Sequence, residues 1–139
     1  MSKIDRLVAI KIMRMKSRTV RAKALTQVVE VWDNNPALVD GVFEDGVLML
    51  HGCPPFSCDM EEAWNKVVHR MRKRGFTISL TNKTRTNTAY FYRWPSSKRP
   101  MHDNKKARQA SDKDAAMAIC LAALRAVGVP ESEIQEAMR

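Results

Sequence analysis

The sequence predicts an α+β fold, a mainly antiparallel sheet covered by helices. Three patterns in its 139 residues predict it. Apolar residues recur at helical spacing near the start, the middle and the end of the chain. Short runs rich in β-branched and aromatic residues lie between them. Gly, Pro and Asn sit at the boundaries, where the chain must turn. The resulting order is helix, strands, helix, two strands, helix. A sheet with two apolar faces needs cover on both, so helices are expected on each side. The length suits one domain, residues 1–139, burying about two-thirds of the surface its unfolded form exposes.

The first helix is expected over residues 3–16. Ser2 stands at the N-cap, and Asp5 lies three residues on, near the capping-box position. Ile4, Leu7, Val8, Ile12 and Met15 form its buried stripe. Residues 26–32 are β-branched and apolar and read as a strand, followed by a turn at Asn34-Asn35-Pro36. Val42-Phe43 and residues 47–50 flank Asp45-Gly46, a good hairpin turn, and Pro54-Pro55 ends that unit.

The second helix is the clearest element. Asp59 is a natural N-cap and Glu62 stands where it completes a capping box. Ala63, Trp64, Val67, Val68 and Met71 share one face, which makes Trp64 a core anchor, and Gly75 sits at a left-handed C-cap position. Residues 76–80 alternate strictly as a half-buried strand. Residues 81–87 read as a polar turn, and 88–94 as an aromatic strand paired antiparallel to the first. Ser111 is expected to cap a helix over residues 112–127, stopped by Gly128. Its alanines make it thin enough to approach a sheet closely. Pro130 opens a short acidic helix over 131–138.

The formal net charge is +9, and its distribution says more than its size. Residues 26–64 hold eight acids and no Lys or Arg, whereas residues 65–108 hold thirteen Lys/Arg and one acid, Asp103. A basic face attracts polyanions: nucleotides, nucleic acid or an acidic protein. The plain alternative is a solvated surface, or a basic block neutralised by the acidic one. No apolar stretch approaches the ~20 residues of a membrane-spanning helix. No apolar core follows the first basic residues as in a signal peptide, so a cytoplasmic protein with no membrane contact is expected.

Groups for catalysis are thin. His51, Cys53 and Cys58 with His69 or His102 can be drawn as a zinc site, but no second close pair follows the cysteines. Cys58 near a helix start lacks an assigned histidine partner, and Asp59 and Glu62 are better explained as caps. The expectation is a non-enzyme with no metal and no cofactor.

The feature left over is the basic region with interleaved aromatics. Arg70, Arg72, Lys73 and Arg74 end a helix, Lys83 and Arg85 follow in a turn, and Lys105, Lys106 and Arg108 flank a long loop. These are the candidate phosphate ligands. Tyr90, Tyr92 and Trp94 share one strand face and are the candidate stacking residues. The alternative packs these aromatics under a helix and leaves Ala89 and Phe91 outside. A sandwich needs both sheet faces filled, which favours packing.

Several segments resemble the phage ABA sandwich domain family. They are the opening run from Ile4 to Met13, the stretch Pro55-Phe56-Ser57-Cys58-Asp59 with Ala63-Trp64-Asn65-Lys66-Val67-Val68, the strand pair 76–80 and 88–92, and Ala118-Ile119-Cys120-Leu121-Ala122-Ala123-Leu124-Arg125-Ala126. The resemblance implies an α-β-α sandwich and a phage or prophage origin. It carries over no catalytic residue. A region inserted over about residues 17–53 and a basic loop over about 93–108 depart from the shorter members.

Three functions from different classes are compatible with this reading. The leading one is a non-enzymatic binder of a phosphate-rich ligand. It is similar in size and basicity to the small phage proteins that sequester nucleotide signals of host defence. Dimers or larger assemblies would let two chains enclose one ligand. The second is direct RNA or DNA binding, since the terminal order resembles a double-stranded-RNA-binding domain lacking an evident third strand. The third is an inhibitor docking its basic face on an acidic host protein.

Overall fold

Helix α1 (Lys3–Lys11) begins where the Ser2 hydroxyl accepts the Ile4 N–H at 3.1 Å. The computed structural model describes residues 2–21, 28–33, 42–44, 47–49, 55–93 and 108–139, with side chains for 2–15, 55–93 and 108–139. α1 stops at Lys11 rather than near residue 16. Arg14 takes φ 53°, which turns the chain off the helix axis, yet Ile12 and Met15 stay buried. Asp5 forms no capping box. It is buried, and its carboxylate accepts the Ser57 N–H at 2.7 Å, tying α1 to the loop before the second helix.

Strands β1 (Lys16–Arg21) and β2 (Val28–Asp33) pair antiparallel, with Lys16 opposite Asp33. The polar run of β1 gives no strand signal in the sequence, whereas β2 matches the one expected there. β3 (Val42–Glu44) and β4 (Val47–Met49) form the expected hairpin. Its Asp45-Gly46 turn and the Asn34-Asn35-Pro36 turn lie outside the described residues.

Helix α2 is continuous but irregular. It consists of α-helical Met60–Glu62, a π-helical run Ala63–Val68 and α-helical His69–Lys73. Asp59 caps it, accepting from the Glu61 and Glu62 N–H groups at 3.0 and 3.3 Å. Glu62 does not close the box. The Asp59 N–H goes to the Pro55 carbonyl at 3.0 Å, and the Glu62 carboxylate sits 2.8 Å from Lys66 Nζ. Ala63, Val67, Val68 and Met71 are buried as expected, but Trp64 is 37% exposed and anchors no core. Bonding from i to i+5 widens the helix and reduces the turn per residue. Over Ala63–Val68 the inward direction therefore passes between Val67 and Val68 above Ala63, and Trp64 falls on the flank. Gly75 closes the helix at φ 89°, the left-handed conformation only glycine adopts freely.

β5 (Phe76–Lys83), β6 (Thr86–Arg93) and β7 (Gln109–Asp112) form an antiparallel sheet in that order. The polar turn expected over 81–87 shrinks to two residues. Thr84 and Arg85 have φ 51° and 63°, the signs of a type I′ turn, while Asn82 bonds Asn87 across the ladder at 3.0 Å. β7, with Ala110 as its one apolar residue, carried no strand signal. It displaces the start of the next helix: α3 (Ala115–Ala126) is capped by Asp114, not Ser111, whose hydroxyl instead lies 2.8 Å from that of Thr88.

Alternation puts Phe76, Ile78, Leu80, Ala89, Phe91 and Ala110 on the face that α2 and α3 cover. Ala89 and Phe91 are fully buried and the tyrosines lie on the opposite face, the reverse of the packed arrangement weighed above. An alanine-rich helix offers a phenol hydroxyl no partner, so Phe fits beneath it and Tyr does not. α1 and α4 (Glu131–Met138) pack on α3, so α3 is enclosed from two sides and buried almost all round. The result is the expected α+β sandwich with an antiparallel sheet, but the described helices stack on one face of it, α2 and α3 against the strands and α1 and α4 behind α3, rather than on each side.

Arg125 fixes the last helix. Its guanidinium donates to both Glu131 oxygens at 3.0 and 2.8 Å and to the Gln109 carbonyl at 2.7 Å. Those bonds, with one from Gln135, hold the Glu131 carboxyl below the usual carboxylate range. Within α3, burial pushes the Cys120 thiol well up, and the nearby carboxylates of Asp5 and Asp114 add to it. Cys120 should therefore stay a protonated, unreactive thiol. Iodoacetamide followed by peptide mapping should label exposed Cys58 in the native protein and Cys120 only after denaturation. Equal labelling of both would contradict the packing of α3.

Candidate anion-binding site

Two helix ends meet at one corner of the molecule. α1 leaves its last carbonyls open at Lys11 and Ile12, and α2 ends in Arg70, Arg72, Lys73 and Arg74. The Arg74 guanidinium joins them, donating to the Ile12 carbonyl at 2.8 Å and the Lys11 carbonyl at 3.4 Å. Both helix ends carry negative partial charge, which explains why cations are tolerated there.

The number of cations exceeds what two helix ends need. Burial lowers the Arg74 pKa, and the neighbouring guanidinium groups of Arg14 and Arg70 lower it further. Three arginines thus lie within electrostatic reach of one another. The ion pairs among the described residues are Lys11–Glu133, at the end of α1, and Lys66–Glu62, Arg125–Glu131 and Arg139–Glu136. None of these neutralises Arg14, Arg70, Arg72 or Lys73. Arginine stays charged at any ordinary pH, so the cluster is permanently cationic.

The candidate residues fall into separate groups. Arg70 and Arg74, four apart, share the flank of α2 that meets Arg14. Arg72 points to the other flank, its guanidinium 5.5 Å from the centre of the Trp64 ring, and Lys73 is exposed. Lys83 and Arg85 are exposed at the far end of the β5–β6 hairpin, about 23 Å from the α2 end at the rise of a strand. Arg108 is half-buried, 5.6 Å from the Phe76 ring, with Arg93 at 4.9 Å from the same ring. Tyr90 and Tyr92 are half-buried on the sheet face away from α3, with stacked rings 5.3 Å apart. Lys105, Lys106 and Trp94 lie outside the described residues.

The corner therefore gathers Arg70 and Arg74, leaves Arg72 on the other flank of the same helix end with Lys73 exposed beside it, and leaves out the hairpin tip and the tyrosines. It adds Arg14, which the sequence does not single out, and beside Arg72 on the other flank stands Trp64, which the helical period assigns to the core. Arg14 belongs by sequence to a different helix, so its place depends on how α1 packs. Trp64 was masked by the regular helical period. Among the described residues, no three His, Cys, Asp or Glu side chains come together in a way that could hold a metal ion, and no helix is long and apolar enough to cross a membrane.

In comparison with known families, the model described as the phage ABA sandwich domain matches residues 6–124. No curated protein and no solved structure matches the chain.

Proposed function

The chain belongs to the phage ABA sandwich domain family, and from that premise we propose that it is a phage-encoded, non-enzymatic binder of a phosphate-rich ligand. The role assigned to it is sequestration of a nucleotide signal in counter-defence. The observation that supports this reading is the repulsive cluster at the joined ends of α1 and α2. Burial first, and then Arg14 and Arg70, lower the Arg74 pKa, and none of the described ion pairs involves any of the three. A fold gains nothing from like charges held together, whereas a polyanion turns that repulsion into attraction. Arg supplies planar, forked donors that suit phosphate oxygens.

Isothermal titration with inorganic polyphosphate and with a short single-stranded oligonucleotide tests it. Four phosphate contacts on a single strand predict about a 50-fold loss of affinity between about 50 and about 200 mM salt. Absence of binding, or binding that ignores salt, would end this reading.

A second reading gains from one observation. β7 supplies the third strand of the order helix, three antiparallel strands, helix that double-stranded-RNA-binding domains also use. Against it, the start of α3 carries Asp112 and Asp114, which occupy the Asp114 and Ala116 N–H groups where a duplex phosphate would dock. A gel shift with duplex RNA separates the two: retention of duplex over single strand would favour the second.

A further inference from the structure

The most exposed aromatic with a defined neighbour lies on the helix that carries the cations. We infer that Trp64 and Arg72 form a stacking platform, so that the ligand bears an unpaired nucleobase beside its phosphates. This inference rests on the anion-binding reading and deepens it.

Three observations combine. Trp64 is 37% exposed and Met60, four residues earlier, is 39% exposed, so a large apolar surface faces water on this flank of α2. The π-helical run Ala63–Val68 is what turns Trp64 outward. Such runs are rare, have poorer geometry than an α-helix and occur frequently at functional sites. A regular helix would have buried the same indole, a gain the fold forgoes here. Finally, Arg72 already places its guanidinium over the ring at 5.5 Å. With the guanidinium over one face of the indole, the platform matches a base joined to a phosphate: the base stacks on the other face of the ring and the guanidinium reaches the phosphate oxygens.

Charge sets the direction of the ligand along the helix. Glu61 is exposed one turn before Trp64 and repels phosphate, while Arg72 and Lys73 lie two turns after it. The phosphates therefore run toward the C-terminal end of α2, where the arginine cluster continues. An acidic peptide or inorganic polyphosphate would use the cations and leave Trp64 idle.

The test uses the whole protein with four probes: a short single-stranded oligonucleotide, an abasic strand of equal length, inorganic polyphosphate and a nucleoside triphosphate. The base-bearing strand should bind about tenfold tighter than the abasic one. Trp64→Ala should erase that preference, bringing the base-bearing strand to the level of the abasic one, and Trp64→Phe should keep most of it. Trp64 is 37% exposed and stands outside the core, so Trp64→Ala should still fold cooperatively, which thermal melting of the two proteins checks. The nucleoside triphosphate decides whether the natural source is a free nucleotide or a strand: base-dependent binding of both, lost in Trp64→Ala, supports the platform in either case. Equal binding of base-bearing and abasic strands, or a preference that survives Trp64→Ala, overturns this inference alone. Failure of every probe to bind overturns the anion-binding reading with it.

Discussion

Replacing Asp5 with alanine should lower the stability of the protein by about 3 kcal/mol, equivalent to a melting temperature about 10 °C lower. Asp5 and Ser57 are both buried, and the carboxylate accepts the Ser57 N–H at 2.7 Å across 52 residues of chain. Removing the carboxylate deletes a charge-assisted bond and leaves a buried donor that water cannot reach. The same bond positions the loop that leads into the Asp59 cap of α2. Asp5→Asn retains an acceptor oxygen and should lose less than half as much. Urea denaturation of the two variants checks this, and a loss below about 1 kcal/mol in Asp5→Ala would show that the contact is dispensable.

The second large effect is on binding. Arg14→Glu with Arg70→Glu should weaken polyphosphate and oligonucleotide binding by on the order of 100-fold and flatten the salt dependence by about 1.4 in slope. The fold should not suffer. Arg14 and Arg70 repel Arg74 in the native protein, and two carboxylates in their place would attract it. The double variant should melt at or above the temperature of the parent while failing to bind. A residue that costs stability and supports binding behaves in this way; a purely structural arginine does the reverse. Titration calorimetry and thermal melting on the same two proteins decide it.

The sequence made parts of this molecule legible and hid others for definite reasons. The caps at Ser2 and Asp59 and the break at Gly75 follow from local chemistry and stand where local rules put them, as do the apolar faces of α1 and α2 apart from Trp64. The antiparallel pairing of residues 76–80 with the aromatic strand was equally visible in the alternation. β7 was hidden because pairing with β6, not its own composition, makes it a strand, and its presence moved the cap of α3 from Ser111 to Asp114. The reading that packs the aromatics of β6 under a helix rests on the need to fill both sheet faces and leaves out the need of a phenol for a polar partner.

The candidate site was half legible. The run Arg70, Arg72, Lys73, Arg74 announces a cationic helix end. No sequence rule says that Arg14 joins it, because that depends on the Arg74 bond to the α1 carbonyls. No rule separates Lys83 and Arg85 from it until the length of the hairpin is known. Trp64 was misplaced because periodicity arguments assume the α-helical turn, and the π-helical run breaks that assumption where the indole sits.

Binding of a phosphate-rich ligand depends on one gathered cationic surface at the ends of α1 and α2. The arginine Nε–Hε signals in a nitrogen-15 NMR spectrum report on it residue by residue. During titration with a short phosphate polymer, the Arg14, Arg70 and Arg74 signals should move together and saturate with a single dissociation constant. Movement confined to Arg85 at the hairpin tip, or small unsaturable drifts spread over every arginine, would contradict it.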